Sequence, residues 1–381
     1  MANKYFDNAA TTPIDPKVFD AMLPFYKEQY FNPSSVYSPA RHVRKAIDNA
    51  REIIANSIGA SPSEIFFTSG GTEANNWAII NIPTKEKDHI ITVKTEHHAI
   101  INACEYMEKQ GFSITYLPVD SDGLVSPDDI KNAITNKTAI ISIMMANNEM
   151  GTIQPISDFE KYQGIVFHTD AVQAVGHIPV DVNELGVDLL SLSAHKFYGP
   201  KGIGALYIRK GTTINPWTHG GSQERKIRPG TENVAGIIGM AKAIEISEQN
   251  DNIAGLRDLL IDKILETIPH TNLNGHKTKR LPSNANITFR FIEGESLLIH
   301  LDMAGFQVST GSACTSGSLD PSHVLLAMGI DHGDANGTLR FSLNKYHTES
   351  DVYALVDILK VSVNKLRAMS PLYDDFLKGK R

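Results

Sequence analysis

Short runs of apolar and β-branched residues alternate along the chain with longer segments whose apolar positions recur at helical spacing. The runs Glu64–Thr68, His89–Val93, Ser113–Leu117, Ala139–Met144, Ile165–Thr169, Leu189–Ser193 and Ile203–Ile208 predict strands. Between them, Ala40–Ile58, Thr72–Ile82 and His97–Gln110 predict amphipathic helices. The strands are apolar throughout rather than alternating, so both faces must be covered. That predicts an α/β fold with a mainly parallel central sheet and helices on both faces. A helical stretch then runs from Val234 to Thr267, broken near Asp251-Asn252. It is followed by strands Asn286–Phe291 and Leu339–Leu343 and helices Glu295–Ala304 and Glu349–Ala368, a smaller α+β domain. The predicted division is a large domain over residues 16–255 and a small one made of residues 1–15 with 256–381. Residues Asp374 to Arg381 read as a frayed tail, and no internal repeat is seen.

Composition narrows the function classes. Among 381 residues, 36 basic against 43 acidic side chains give a net charge of −7, which argues against a globally basic nucleic-acid binder. No direct nucleic-acid binding is therefore expected. Only two cysteines occur, Cys104 and Cys314, so no disulfide framework is expected and a reducing cytoplasm is the default location. The first residues, Met1 to Asp7, contain no apolar segment of the signal-peptide kind. Runs such as Ala139 to Ala146 are too short to span a bilayer, so no membrane partner is expected.

Four segments carry candidate chemistry. Ser69-Gly70-Gly71-Thr72-Glu73 joins a strand to a helix. Glycines that admit close backbone approach and a helix N-terminus together suit an anion, although an ordinary capped turn fits as well. Asp170, in His168-Thr169-Asp170-Ala171-Val172-Gln173, ends an apolar strand, where α/β proteins bind ligands or where an Asp simply caps a helix. Lys196, in Ser193-Ala194-His195-Lys196-Phe197-Tyr198-Gly199, ends the next strand, one crossover later. A lysine and a carboxylate so placed suit pyridoxal phosphate: the lysine forms the Schiff base and the carboxylate keeps the pyridine nitrogen protonated. Cys314 lies among small residues, Ser309-Thr310-Gly311-Ser312-Ala313-Cys314-Thr315-Ser316-Gly317-Ser318, which suits a thiol presented for reaction rather than a core cysteine. Glu96-His97-His98 lacks the spaced partners of a metal site, so no resident metal is expected.

Together these segments resemble the cysteine desulfurases of the NifS/IscS type, which are class V aminotransferase-like enzymes. The resemblance extends over nearly the whole chain. It takes in Tyr5-Phe6-Asp7-Asn8-Ala9-Ala10-Thr11-Thr12-Pro13, Asn32-Pro33-Ser34-Ser35, Ala146-Asn147-Asn148-Glu149-Met150-Gly151, Gly220-Gly221-Ser222-Gln223-Glu224-Arg225, Arg228-Pro229-Gly230-Thr231 and Arg340-Phe341-Ser342-Leu343. It implies a fold-type I pyridoxal-phosphate transferase, with the cofactor in the 16–255 part and the Cys314 loop in the small domain. Lys196 would carry the cofactor and later move protons. Asp170 would pair with the pyridinium, Gln173 would donate to the ring oxygen, and His97 would stack on the ring and serve as acid–base. Gly71, Thr72, Ser193 and His195 would hold the phosphate. Thr231 would reach the phosphate of the neighbouring subunit of a homodimer. Asn148, beside the cofactor, and Arg340 would hold the carboxylate of L-cysteine, Arg340 by a two-point contact.

The implied reaction turns L-cysteine into L-alanine and leaves a persulfide on Cys314. That sulfur would pass to an acceptor protein. Some chains of this family continue past the segment matching Ser370-Pro371-Leu372 into a tail that helps dock an iron–sulfur scaffold, whereas this sequence ends at Arg381. Iron–sulfur cluster assembly and tRNA thiolation therefore both stay open as destinations, and Cys314 could ligate a cluster transiently. A selenocysteine lyase and an aminotransferase are the rivals of the same fold. An aminotransferase has no use for Cys314. A non-catalytic scaffold would have no need of Lys196 and Asp170.

Overall fold

The computed structural model describes residues 4–83, 87–247, 252–310 and 321–380. Cys314 and the small residues 311–318 around it lie outside the described residues. A 7-stranded sheet forms from β1 (Ile65–Thr68), β2 (His89–Val93), β3 (Ser113–Leu117), β4 (Thr138–Ser142), β5 (Val166–Asp170), β6 (Leu189–Ser193) and β7 (Gly204–Ile208). Its order is β1-β7-β6-β5-β4-β2-β3. Every pair from β6 through β3 is parallel, while β7 runs antiparallel to both β6 and β1. The exception follows from chain length. Only residues 194–203 join β6 to β7, too few for the crossover that a parallel neighbour needs. β1, β2, β4, β6 and β7 are buried along their whole length, as the continuous apolar runs predict.

Two-sided cover comes from the helices. Ser38–Ser57 buries Val43, Ile47, Ala50 and Ile54, a stripe at helical spacing, and packs with Val234–Ser247 on one core. Gly71–Ile80 and His98–Lys109 contribute Trp77, Ala78, Ile100 and Cys104 to a second core, which includes Ile90, Ile140 and Leu206 of the same sheet.

The second sheet has 4 strands, β8 (Thr271–Leu273), β9 (Asn284–Phe289), β10 (Ser309–Thr310) and β11 (Thr338–Ser342), in the order β10-β11-β9-β8, all antiparallel. Its core draws on Phe6, Leu260, Ile264, Ile287, Phe289, Leu297, Leu301, Phe341, Leu355 and Leu359. Bridges Tyr5↔Gln307 and Asp7↔Ser342 stitch the N-terminal segment onto this sheet. Residue 255 falls inside the helix Ile253–Thr267, whose Ile253, Leu256 and Leu260 all belong to the second core. We propose to divide the domains at the start of that helix.

Two expectations need correction, and two strands were not expected. The strand expected over 286–291 ends at Phe289, and Phe291 is left-handed at φ +71°. The short strands β8 and β10 are too brief to show a period in the sequence. The expected frayed tail is helical over Pro371–Leu377. Pro371 fixes its first turn, and Phe376 packs its ring 4.7 Å from Phe291 and 5.0 Å from His270. Among the described residues, no helix is long and apolar enough to cross a membrane.

Candidate active site

Parallel strands place their carboxyl ends on one edge, and ligands bind there in open α/β sheets. β1 runs the same way as β6, because two antiparallel steps separate them. The residues that follow five strands therefore converge: Gly71 and Thr72 after β1, His97 after β2, Asn148 after β4, Asp170 and Gln173 at the end of β5, and Ser193, His195 and Lys196 at the end of β6. With Arg340 of β11 they line a single cavity of about 280 Å³. Of the predicted site residues within the described chain, Thr231 alone stands apart. It is exposed, in a separate cavity of about 200 Å³ that Thr68 and Ser69 also line.

The cavity floor is built for ionic chemistry. Lys196 Nζ donates to the carbonyls of Ala9 at 2.7 Å and Ala10 at 2.9 Å. Asp170 accepts from the Val172 amide at 2.9 Å and from Asn75 Nδ2 at 2.6 Å, so its carboxylate is fixed on both oxygens. Gln173 Nε2 donates to Ala9 O at 3.0 Å. His97 caps the helix His98–Lys109, its Nδ1 accepting from the Ala99 amide at 3.1 Å. That bond leaves Nε2 to carry the proton of the neutral ring. Burial is the main force holding His97 below the usual imidazole range; Asp170 opposes it, while Lys196 and two further histidines add to it. Burial, followed by Lys196 and Lys201, pulls His195 down to about 4. Both rings therefore enter the chemistry neutral at pH 7.

The family model for class-V aminotransferases matches residues 4–355. The chain belongs to the class-V aminotransferase family. Its relatives place it with the cysteine desulfurases. A protein of Dictyoglomus turgidum named cysteine desulfurase IscS is 54% identical, over 99% of this chain and 98% of its own length. One of the same name from Methanosarcina thermophila is also 54% identical, over 97% of this chain and 94% of its own. A solved NifS-like protein superposes with a TM-score of 0.89 at 39% identity, covering 95% of this chain and 99% of its own. The structure of SspA in complex with cysteine gives 0.82 at 38% identity, covering 91% and 100%. Fold-type I architecture and pyridoxal phosphate as cofactor follow from membership of this cysteine desulfurase branch.

The cavity fits that cofactor. The helix Gly71–Ile80 has no side-chain cap, so its first amides are free for an anion. A Cβ at Gly71 would stand 2.6 Å from Val172 Cγ2, so only glycine leaves that approach open. Ser193 Oγ is buried without a partner, a cost that a phosphate oxygen would relieve.

Three contributors were not read from the sequence. Asn75, which orients Asp170, lies four residues after Gly71 on the same helix face, and that spacing is a usable signal. The carbonyls of Ala9 and Ala10 have no side-chain signature at all. Glu96 is wholly buried; Oε1 accepts from the Met144 amide at 2.6 Å and Oε2 has no partner. Burial, reinforced by Asp170, raises it well above the usual carboxylate range.

Two buried groups contribute to the pH dependence of stability with opposite signs. His168 bridges Ser142 and Ser191, and burial pulls its ring down to about 3. The unfolded chain takes that proton below about pH 6.5, so His168 removes stability as pH falls. Glu149 accepts from Ser322 Oγ, and burial raises it to about 7. Folded protein then keeps a proton that the unfolded chain releases above about pH 4.5, so Glu149 adds stability as pH falls through that window. Glu149→Gln should unmask His168. Between pH 7 and pH 5 it should lose about 2–3 kcal/mol more than the unsubstituted protein, at about 1.4 kcal/mol per unit. Urea unfolding at the two values checks this, and parallel pH dependences would refute it.

Proposed function

We infer that the protein is a pyridoxal-phosphate-dependent cysteine desulfurase that converts L-cysteine to L-alanine and passes the sulfur through Cys314. The observation that carries the reading is the shared cavity of Lys196, Asp170, His97, Asn148 and Arg340 in a chain 54% identical to named cysteine desulfurases. The capture of cysteine by the related SspA supports the same substrate.

When bound, pyridoxal phosphate supplies an electron-withdrawing ring that loosens the substrate's α-proton and then its carbon–sulfur bond. The protein supplies the rest. Lys196 Nζ would hold the cofactor and carry the α-proton. Asp170, held by Asn75, presents a fixed negative charge to the ring nitrogen. Neutral His97 would stack on the ring, with its Nε2–H able to donate. Gln173 donates to the ring oxygen, and Gly71, Thr72, Ser193 and His195 hold the phosphate. Arg340 and Asn148 orient the α-carboxylate. The Cys314 thiolate attacks the substrate sulfur, a sulfur–sulfur bond forms and the carbon–sulfur bond breaks. The electron pair left on carbon takes a proton to become the methyl group of alanine.

We also assign a homodimer, in which exposed Thr231 serves the neighbouring subunit's phosphate site. The assigned sulfur acceptor is an iron–sulfur scaffold or a tRNA-thiolating protein, in a reducing cytoplasm. Single-turnover assay of the holoenzyme with L-cysteine tests the function: alanine and enzyme-bound sulfur should form one for one. Arg340→Lys keeps the charge but loses the planar fork, and should weaken cysteine binding by roughly 1–3 kcal/mol. Sulfide without alanine, or a cysteine dependence unchanged by Arg340→Lys, would overturn these assignments.

A further inference from the structure

Arg340 is a confined cation, its side chain only 5% exposed, and its donors are unevenly used. Nη1 donates to Asn148 O at 3.0 Å, and Nη2 donates to Asp7 Oδ1 at 2.8 Å. Nε is buried with no partner. Nε and Nη2 share the edge of the guanidinium that grips a carboxylate through two parallel bonds. Asp7 thus occupies half of the edge on which an incoming carboxylate would bind, and the other half has no partner.

The surroundings allow Asp7 to leave. Its backbone is held independently of its side chain: the Asp7 carbonyl accepts from the Ala10 amide at 3.1 Å, and Asp7 bridges to Ser342 of β11. The Asp7 side chain is 21% exposed, so water can receive it. Glu149 is a second carboxylate that feels the field of Arg340. Its own hydrogen bond is with Ser322 Oγ rather than with Arg340, and burial raises it to about 7. A buried arginine without a counter-charge is costly, and Asp7 meets that need in the free enzyme.

We propose that Asp7 is the resting counter-ion of Arg340 and that the α-carboxylate of the amino-acid substrate displaces it to close the Nε–Nη2 edge. Asp7 is then a specificity-determining residue. It keeps Arg340 from holding any passing anion, and it competes with the alanine product for the same nitrogen. The proposal rests on reading Arg340 as the carboxylate-binding group.

L-Alanine, which lacks the thiol, is the probe, titrated into holoenzyme by calorimetry and soaked into crystals. In the alanine complex, Asp7 Oδ1 should lie beyond hydrogen-bond distance of Nη2. Asp7→Asn should bind L-alanine about tenfold tighter, because a neutral amide competes less well for a charged donor than a carboxylate does. Asp7→Glu, which keeps the competitor, should stay near the unsubstituted affinity. For L-cysteine turnover, Asp7→Asn should lower both KM and kcat, since alanine leaves more slowly. An Asp7–Arg340 contact that persists with alanine bound, or weaker alanine binding by Asp7→Asn, would make Asp7 a brace and overturn the proposal. Arg340→Ala separates the two levels. If it leaves alanine binding unchanged, the assignment of Arg340 itself fails. If it abolishes binding while Asp7→Asn changes nothing, only the displacement fails.

Discussion

Lys196→Ala will lower alanine formation by at least about 10³-fold while leaving the protein folded. The argument starts from position. β6 ends at Ser193, and the short turn Ala194–Lys196 brings Nζ into the cavity against two backbone carbonyls. Ala9 O also accepts from Gln173, so the N-terminal strap keeps one of its anchors when the lysine is removed. Thr12 adds others: its amide and Oγ1 bind the His195 carbonyl, and its Oγ1 accepts from the Tyr198 amide. The loss is therefore chemical rather than structural, because alanine can neither join the cofactor nor move the α-proton. Borohydride treatment of the unsubstituted holoenzyme should fix the cofactor to the peptide containing Lys196, and the variant should show no covalent adduct. An adduct on another lysine, or alanine formation within tenfold of normal, would remove Lys196 from its assigned role.

Much of this arrangement was legible because its signals are local. Each central strand is a continuous apolar run, and Lys196 and Asp170 directly follow or end such runs, so their convergence follows from parallel topology alone. Asp7, Ala9 and Ala10 were not legible as site components. They act through a segment bridged to a sheet more than three hundred residues away, and two of the three act through main-chain carbonyls. Glu96 was hidden for another reason: next to two histidines it reads as a surface or metal-like cluster, whereas its side chain is entirely buried. The reversal of β7 was hidden in a loop length rather than in any residue type. The helix Pro371–Leu377 depends on aromatic partners at residues 270 and 291, which no window of sequence around it contains.

Cys314→Ser will abolish alanine formation and persulfide while preserving cofactor loading and the spectral response to L-cysteine. The two cysteines of this chain differ in what they can do. Cys104 lies in the helix His98–Lys109, fully buried with Trp77 and Ile100 in the second core of the large sheet. Burial is the first cause that pushes its thiol up to about 12, with nearby glutamates adding to it. At pH 7 it carries almost no thiolate, and thiolate is the form that attacks sulfur. Cys314 lies outside the described residues, but the chain leading to it is anchored where the substrate would bind. Ser309 pairs with Arg340, and Thr310 with Leu339, in the β10–β11 ladder. A serine hydroxyl in place of the Cys314 thiol is too weak an acceptor of sulfur, whereas binding of the substrate amine and carboxylate uses other groups. The loss should therefore fall on the sulfur-transfer step alone. Mass spectrometry after one turnover should find a gain of about 32 Da, one sulfur atom, on the Cys314 peptide and none on the Cys104 peptide. Cys104→Ser should retain full single-turnover yield. Sulfur found on Cys104, or alanine still formed at near the normal rate by Cys314→Ser, would rule out the persulfide route and return the chain to the lyase or aminotransferase reading of the same fold.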